Sequence, residues 1–335
     1  MQYQAGAIGP SALVNKETIG MSDRSTLETA TGQLFGGLWG PYNEQLFEES
    51  VQLFNQRLKL VPFQEGWFQN KVCLDAGCGG GRNSIAMARL GAKEVAGIDL
   101  GEEGLADARR RASEMPNVKF QRASILDIPF ADETFDMVWC AGVLMITADE
   151  NRALDELARV VKKGGRLYLL VYATGGLRWP LIEWLRPLAA EIGKPAVEDA
   201  IRLGGLAANK RRTFLDDLFC PQLDFYHWER LNRMLKNRGF NQIDRWGTEC
   251  RLDHEADLAS YRIDLESLLA IFQAGDHETF GKRRPLFQAG RAGVQATVEA
   301  IRWFEDAVVR GEMSSEAAMN QVIGQGHHRV LAVKA

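Results

Sequence analysis

Apolar and polar residues alternate in two rhythms between residues 72 and 173. Short apolar runs near 71–75, 94–99, 118–122, 134–140 and 166–173 read as buried strands. Between them apolar positions return every three or four residues, as at Leu154, Leu157, Val160 and Val161, which is helical spacing. Strand and helix in alternation predict a doubly wound α/β domain with a mostly parallel sheet. A helix over 151–163 is expected to stop at Gly164, which suits a left-handed cap. Right-handed crossovers place the loops after the strands on one sheet edge, so Gly77, Asp99, Ser124 and Cys140 are expected to converge.

The flanks read differently. Residues 1–30 are rich in Ser, Thr, Gly and Gln and predict a mobile tail. An aromatic and glycine cluster at 34–42 precedes a helix from Asn43 to about Leu60, whose Leu46, Phe47, Val51, Phe54 and Leu58 share a face. The stretch 174–223 is too long to be structureless, and Leu181, Trp184, Leu185 and Leu188 predict helices. Residues 251–335 read as mostly helical, with stripes at Leu258, Tyr261, Leu265, Leu268, Leu269 and Phe272 and at Val294, Val298, Ile301, Phe304 and Val308. This divides the chain into a tail (1–30), an α/β domain (31–250) and a helical C-terminal extension (251–335) that packs on the core or forms a homodimer.

Length and charge narrow the function classes. At 335 residues the chain holds one large α/β domain with additions, or two small ones. A net charge of −4 leaves no basic footprint for nucleic acid. No apolar run is long enough to span a bilayer, and the N-terminus lacks the regions of a secretory signal. Five cysteines, an odd number in a long chain, argue against a disulfide framework. These features predict a cytoplasmic protein with neither membrane nor nucleic-acid partners.

The chemistry concentrates at residues 72–84, where an apolar run meets Asp75 and then glycines at 77, 79, 80 and 81 before a helical pattern begins. Glycines let a ligand approach the backbone, and the helix start offers unpaired N–H groups. Glycines alone also fit an ordinary tight turn. The next unit, Glu94–Asp99, ends in a carboxylate about 20 residues on, placed to accept the ribose hydroxyls of a nucleoside cofactor.

Leu74-Asp75-Ala76-Gly77-Cys78-Gly79-Gly80-Gly81 resembles motif I of the class I S-adenosylmethionine-dependent methyltransferases. Phe120 to Phe130, Phe135-Asp136-Met137-Val138 and Val160 to Tyr168 are similar to later motifs of that family, in order and at its intervals. Phe225–Trp228, a helix over 229–238, Gly239 and a strand-like 243–246 resemble its closing strand–helix–strand. The likeness covers roughly residues 70–172. It implies a seven-stranded Rossmann-like sheet with a helical lid inserted after the fifth strand, S-adenosylmethionine as cofactor, and methyl transfer to a small molecule whose acceptor atom is open. The implied cofactor contacts are Asp75, Gly77, Cys78, Gly79, Asp99, Leu100, Ser124, Ile125 and Cys140, with Tyr42 folding over the cofactor. Asp75 equally fits ordering the glycine loop, and Trp39 and Tyr42 equally fit packing the next helix on the sheet. Ser124 stands where the family commonly carries Asp, so the side-chain contact to adenine is the departure from its pattern.

Methyl transfer needs an in-line nucleophile, exclusion of water and, for some acceptors, a base. His227 and Tyr226 are the catalytic candidates, with His254 and Tyr172 beside them; a His among aromatics equally fits simple packing. Lys210-Arg211-Arg212 fits either a solvated face or an anion dock. No metal is expected, because the adjacent His327 and His328 lack ligand spacing. The alternatives are a non-catalytic cofactor-binding scaffold, a protein-substrate methyltransferase and a nicotinamide dehydrogenase.

Overall fold

The computed structural model describes residues 21–39, 43–58, 66–203, 208–246, 258–274, 284–324 and 326–335. Five strands run in parallel: β1 (Val72–Ala76), β2 (Glu94–Asp99), β3 (Val118–Arg122), β4 (Phe135–Ala141) and β5 (Val161–Tyr172). With β6 (Phe240–Trp246) and β7 (His327–Lys334) they form a seven-stranded sheet in the order β3-β2-β1-β4-β5-β7-β6. The alternating side-chain directions of a strand cover both faces. Leu74, Val138 and Leu167 join one core, whereas Cys73, Met137 and Tyr168 join the other.

The helices that cover the sheet follow from the same periodicity. Phe47, Val51 and Phe54 of α2 (Glu44–Leu58) and Ile85 of α3 (Arg82–Arg89) are buried on one face. Leu154 and Leu157 of α5 (Glu150–Val160) are buried on the other. Between them in sequence, α4 (Glu102–Arg111) links β2 to β3. Asp136 explains why an acidic residue opens β4: its Oδ2 accepts the Val72 N–H at 2.8 Å, and its Oδ1 accepts from Lys162 Nζ at 3.0 Å. One carboxylate thus pins the starts of β1, β4 and β5.

Several expectations change. Residues 21–30, expected in a mobile tail, belong to helix α1 (Met21–Trp39). Gly32 and Gly36 are its contacts with the Leu100–Gly101 turn, so the apolar rhythm on that side is weak and the helix escapes a periodicity reading. Gly164 does not cap α5, which ends at Val160. It sits at φ +72° inside β5, where the register against β4 jumps from Phe135↔Val161 to Met137↔Arg166. The closing strand–helix–strand is half formed. Tyr226 makes one bridge to Ala173, α9 (Trp228–Lys236) and β6 follow, and the seventh strand comes from the C-terminus.

The insertion after β5 is helical, as expected: α6 (Arg178–Ile192), α7 (Lys194–Leu203) and α8 (Ala208–Phe219). Leu181, Leu185 and Leu188 are buried, while Trp184 is 58% exposed. The helices expected beyond residue 251 are α10 (Leu258–Ala274), α11 (Arg284–Val309) and α12 (Ser315–Ile323). They do not end the chain. β7 returns between β5 and β6 and pairs with both, antiparallel, so residues 327–334 belong to the sheet and the helical segment sits between two of its strands. No helix among the described residues is long and apolar enough to cross a membrane.

Candidate active site

The glycine loop is tied to the end of β2. Gly77 has φ +84°, and a Cβ there would lie 2.2 Å from Val143 Cγ2, so the position requires glycine. The N–H groups of Gly77 and Cys78 donate to the Ile98 carbonyl at 2.8 and 3.0 Å. Asp99 accepts the Gly79 N–H on Oδ2 and the Gly101 N–H on Oδ1, both at 2.8 Å. Burial raises its pKa, against these hydrogen bonds. α3 begins directly after the loop with no side-chain cap, leaving its first N–H groups for a ligand.

Asp75 stands behind the loop. It is 1% exposed, and its Oδ2 accepts from Ser84 Oγ at 2.6 Å in the first turn of α3. Burial pushes its carboxyl up to about 7, against the hydrogen bond from Ser84. It orders the start of α3 and does not line the cavity.

The loop opens onto a cavity of about 470 Å³, within the range of roughly 300–1,000 Å³ typical of ligand sites. At one end lie the glycine loop, Asp99, Leu100, Ser124 and Ile125. Phe35, Phe47, Phe54, Trp139, Tyr168 and Met145 supply apolar wall. Trp139 and Tyr168, paired across β4 and β5, stack with centroids 3.6 Å apart, and Phe54 leans on Trp139 at 4.6 Å. Tyr172, Arg178, Thr213, Asp216 and His327 add a polar sector to the lining. Arg178 pairs with the fully buried carboxylate of Asp217. His327 meets Tyr172 edge-on at 5.2 Å. Burial pushes the Tyr172 phenol well above its ordinary value, with Asp217 and Asp216 adding to the effect.

Seven of the expected cofactor contacts line this cavity together, Gly77, Cys78, Gly79, Asp99, Leu100, Ser124 and Ile125, and Tyr172 lines it with them. Cys140 does not; its side chain is fully buried in the core and its thiol is pushed up to about 12 by burial. The two catalytic candidates also lie elsewhere. Tyr226 is wholly buried with Arg230 over its ring, and His227 is exposed, its Nδ1 3.1 Å from Thr174 Oγ1. An aromatic cluster in sequence marked packing there, not a pocket. Tyr42, the Trp39 side chain, His254 and the Lys210 side chain lie outside the described residues. Arg211 and Arg212 do not line the cavity, although Thr213 and Asp216 of the same helix do.

Glu28, Arg178, Asp216 and His327 escaped the sequence reading. For His327 a signal existed: Val330 to Val333 are four consecutive apolar residues, a buried-strand pattern, and the two histidines precede that run with Arg329 between.

Residues 74–169 match the family described as a methyltransferase domain. The chain is 31% identical over 151 residues to the 27-O-demethylrifamycin SV methyltransferase of Amycolatopsis mediterranei, covering 43% of this chain and 54% of that protein. It is 39% identical over 101 residues to the demethylmenaquinone methyltransferase of Clavibacter sepedonicus, covering 30% and 41%. It is 36% identical over 126 residues to the ubiquinone biosynthesis O-methyltransferase of Aeromonas salmonicida, covering 37% and 52%. The matches span about half the length of these curated relatives. Strand order and glycine loop agree with the family match: residues 74–169 form a methyltransferase domain of the class I S-adenosylmethionine-dependent kind.

Proposed function

We propose that the protein methylates an oxygen of a small, ring-bearing acceptor, with S-adenosylmethionine as donor. The observation that carries this reading is a single cavity that joins the Gly77–Asp99 loop to an aromatic wall and a polar sector. The bound donor supplies an electrophilic methyl group on a sulfonium, next to a neutral thioether leaving group. Gly77 and Gly79 offer backbone that the donor can lie against, and Asp99 offers acceptor oxygens for its ribose. Asp75 acts indirectly, by fixing the first turn of α3 through Ser84. The aromatic wall excludes water and holds a flat acceptor in line. Its faces also favour a sulfonium charge.

His327, not His227, takes the catalytic role. Its imidazole lines the cavity, and an imidazole nitrogen can accept a hydroxyl proton. Tyr172 orients it by ring contact. The names of the rifamycin and ubiquinone-biosynthesis relatives support oxygen as the acceptor atom.

The test is incubation with methyl-labelled S-adenosylmethionine and a panel of phenols, catechols, hydroquinones, amines and carboxylic acids. Label transferred to hydroxylated rings supports the reading. Transfer to amines alone overturns the acceptor assignment, and donor binding without transfer to any acceptor favours a non-catalytic scaffold.

A further inference from the structure

The N-terminal helix meets the cavity at one edge. A Cβ at Gly32 would lie 3.1 Å from Leu100 Cβ, and one at Gly36 would lie 3.7 Å from the Gly101 Cα. Two glycines four residues apart therefore let α1 rest almost directly on the turn that follows Asp99. Glu28, one turn before Gly32, is on the same side of the helix, and its carboxylate accepts the hydroxyl of Ser124 just beyond β3. Ser124 Oγ is itself an acceptor for the Leu126 N–H at 3.0 Å. The serine is thus committed on both sides, to the loop as acceptor and to α1 as donor.

Three cavity-lining side chains carry a carboxylate: Glu28, Asp99 and Asp216. Both oxygens of Asp99 already receive backbone N–H groups. Glu28 receives the serine on Oε1, and Oε2 has no donor among the described residues. Ala123 N–H donates to the Asp99 carbonyl at 3.1 Å, so the Ser124 loop begins directly beside the ribose-binding position. Leu100, Ile125 and Glu28 line the cavity together with Asp99.

We propose that Glu28, carried by α1, is the residue that recognises the exocyclic amine of the cofactor's adenine, with Ser124 as the hydroxyl that positions it. An ionised carboxylate accepts hydrogen bonds and donates none. It therefore suits a six-amino purine and rejects a six-oxo purine, whose carbonyl would face it. Helix α1 becomes part of the cofactor site, and selectivity for adenine depends on its seating. This inference rests on the S-adenosylmethionine reading given above.

The test compares binding of S-adenosylhomocysteine with S-inosylhomocysteine, which carries a carbonyl in place of the six-amine. The wild-type chain is expected to prefer the adenine ligand by about tenfold or more, the scale for a hydrogen bond to a charged group. Glu28→Gln, which can donate as well as accept, is expected to bring the two affinities within about threefold, and Glu28→Ala likewise. Equal binding of both ligands by the wild type overturns the proposal. So does a variant that weakens both ligands alike and keeps their ratio, because a purely structural helix contact would do that. Failure of the wild type to bind S-adenosylhomocysteine at all is a different result, seen without any variant, and defeats the underlying cofactor reading itself.

Discussion

The Gly79 N–H lies 2.8 Å from Oδ2 of Asp99, so a carboxylate joins the loop after β1 to the end of β2, beside the bonds that Gly77 and Cys78 donate to Ile98. The same carboxylate holds Gly101 at the start of the next helix. A ligand that binds Asp99 therefore also meets a loop whose shape Asp99 sets. Binding and loop order are coupled by geometry.

Gly77→Ala tests the loop from the other side. The new Cβ would meet Val143 at 2.2 Å, at a φ of +84° that an L side chain rarely adopts. Strain and overlap together are expected to cost roughly 2 kcal/mol or more. A urea melt should show the lowered midpoint, with S-adenosylhomocysteine binding weakened in parallel. Wild-type stability in the variant would mean the loop can shift aside.

Asp75 gives the protein a pH signature. Its carboxyl titrates near pH 7 when folded, against a reference value of 3.8. Between those values the folded state keeps a proton that the unfolded chain has released, so stability falls as pH rises, by at most about 1.4 kcal/mol per pH unit. Below 3.8 both states are protonated and the group contributes no slope. Asp75→Asn removes the titration. Its stability relative to wild type should rise from pH 4.5 to pH 7.5 in denaturant melts. A difference that stays flat across that range would show that Asp75 is ionised throughout.

His327→Ala should separate binding from chemistry. The donor end of the cavity is untouched, so S-adenosylhomocysteine affinity is expected to stay within about twofold, while turnover falls by roughly 10²–10⁴, the contribution of a general base. Slowed turnover with a lost alkaline-activated limb in the pH–rate profile supports the role. Unchanged turnover on an acceptor with a hydroxyl near neutral pKa and on one near pKa 10 alike would remove it.

The parallel half of the sheet was legible because its signals are local. A buried parallel strand is a short apolar run, and the turns after β1 and β2 carry glycines and a carboxylate. β7 was harder, because it is separated from β6 by a long helical segment and its partners lie far away in sequence. Helix α1 was illegible for the opposite reason: it docks through Gly32 and Gly36, and small residues leave no hydrophobic rhythm to read. His227 misled because an aromatic neighbourhood in sequence does not say which side of a strand end faces a cavity.

Truncation after residue 326 tests the place of β7. The strand pairs with β5 and β6 at once, and Lys334 Nζ donates to the Ala158 and Val161 carbonyls, both at 2.8 Å. Its loss would leave two unpaired strand edges and an exposed core, so the shortened chain is expected to be insoluble. A soluble, cooperatively folding product would place β7 outside the folding unit.

The central claim is that the Gly77–Asp99 loop holds S-adenosylmethionine. The direct measurement is calorimetric titration of the full chain, cleared of copurified ligand, with S-adenosylmethionine and S-adenosylhomocysteine, beside NADH and the Asp99→Ala variant. The expected result is saturable binding of both sulfur compounds, none of NADH, and a loss of about 1.5–3 kcal/mol in Asp99→Ala. Well-folded wild-type protein that binds NADH and neither sulfur compound would contradict the account.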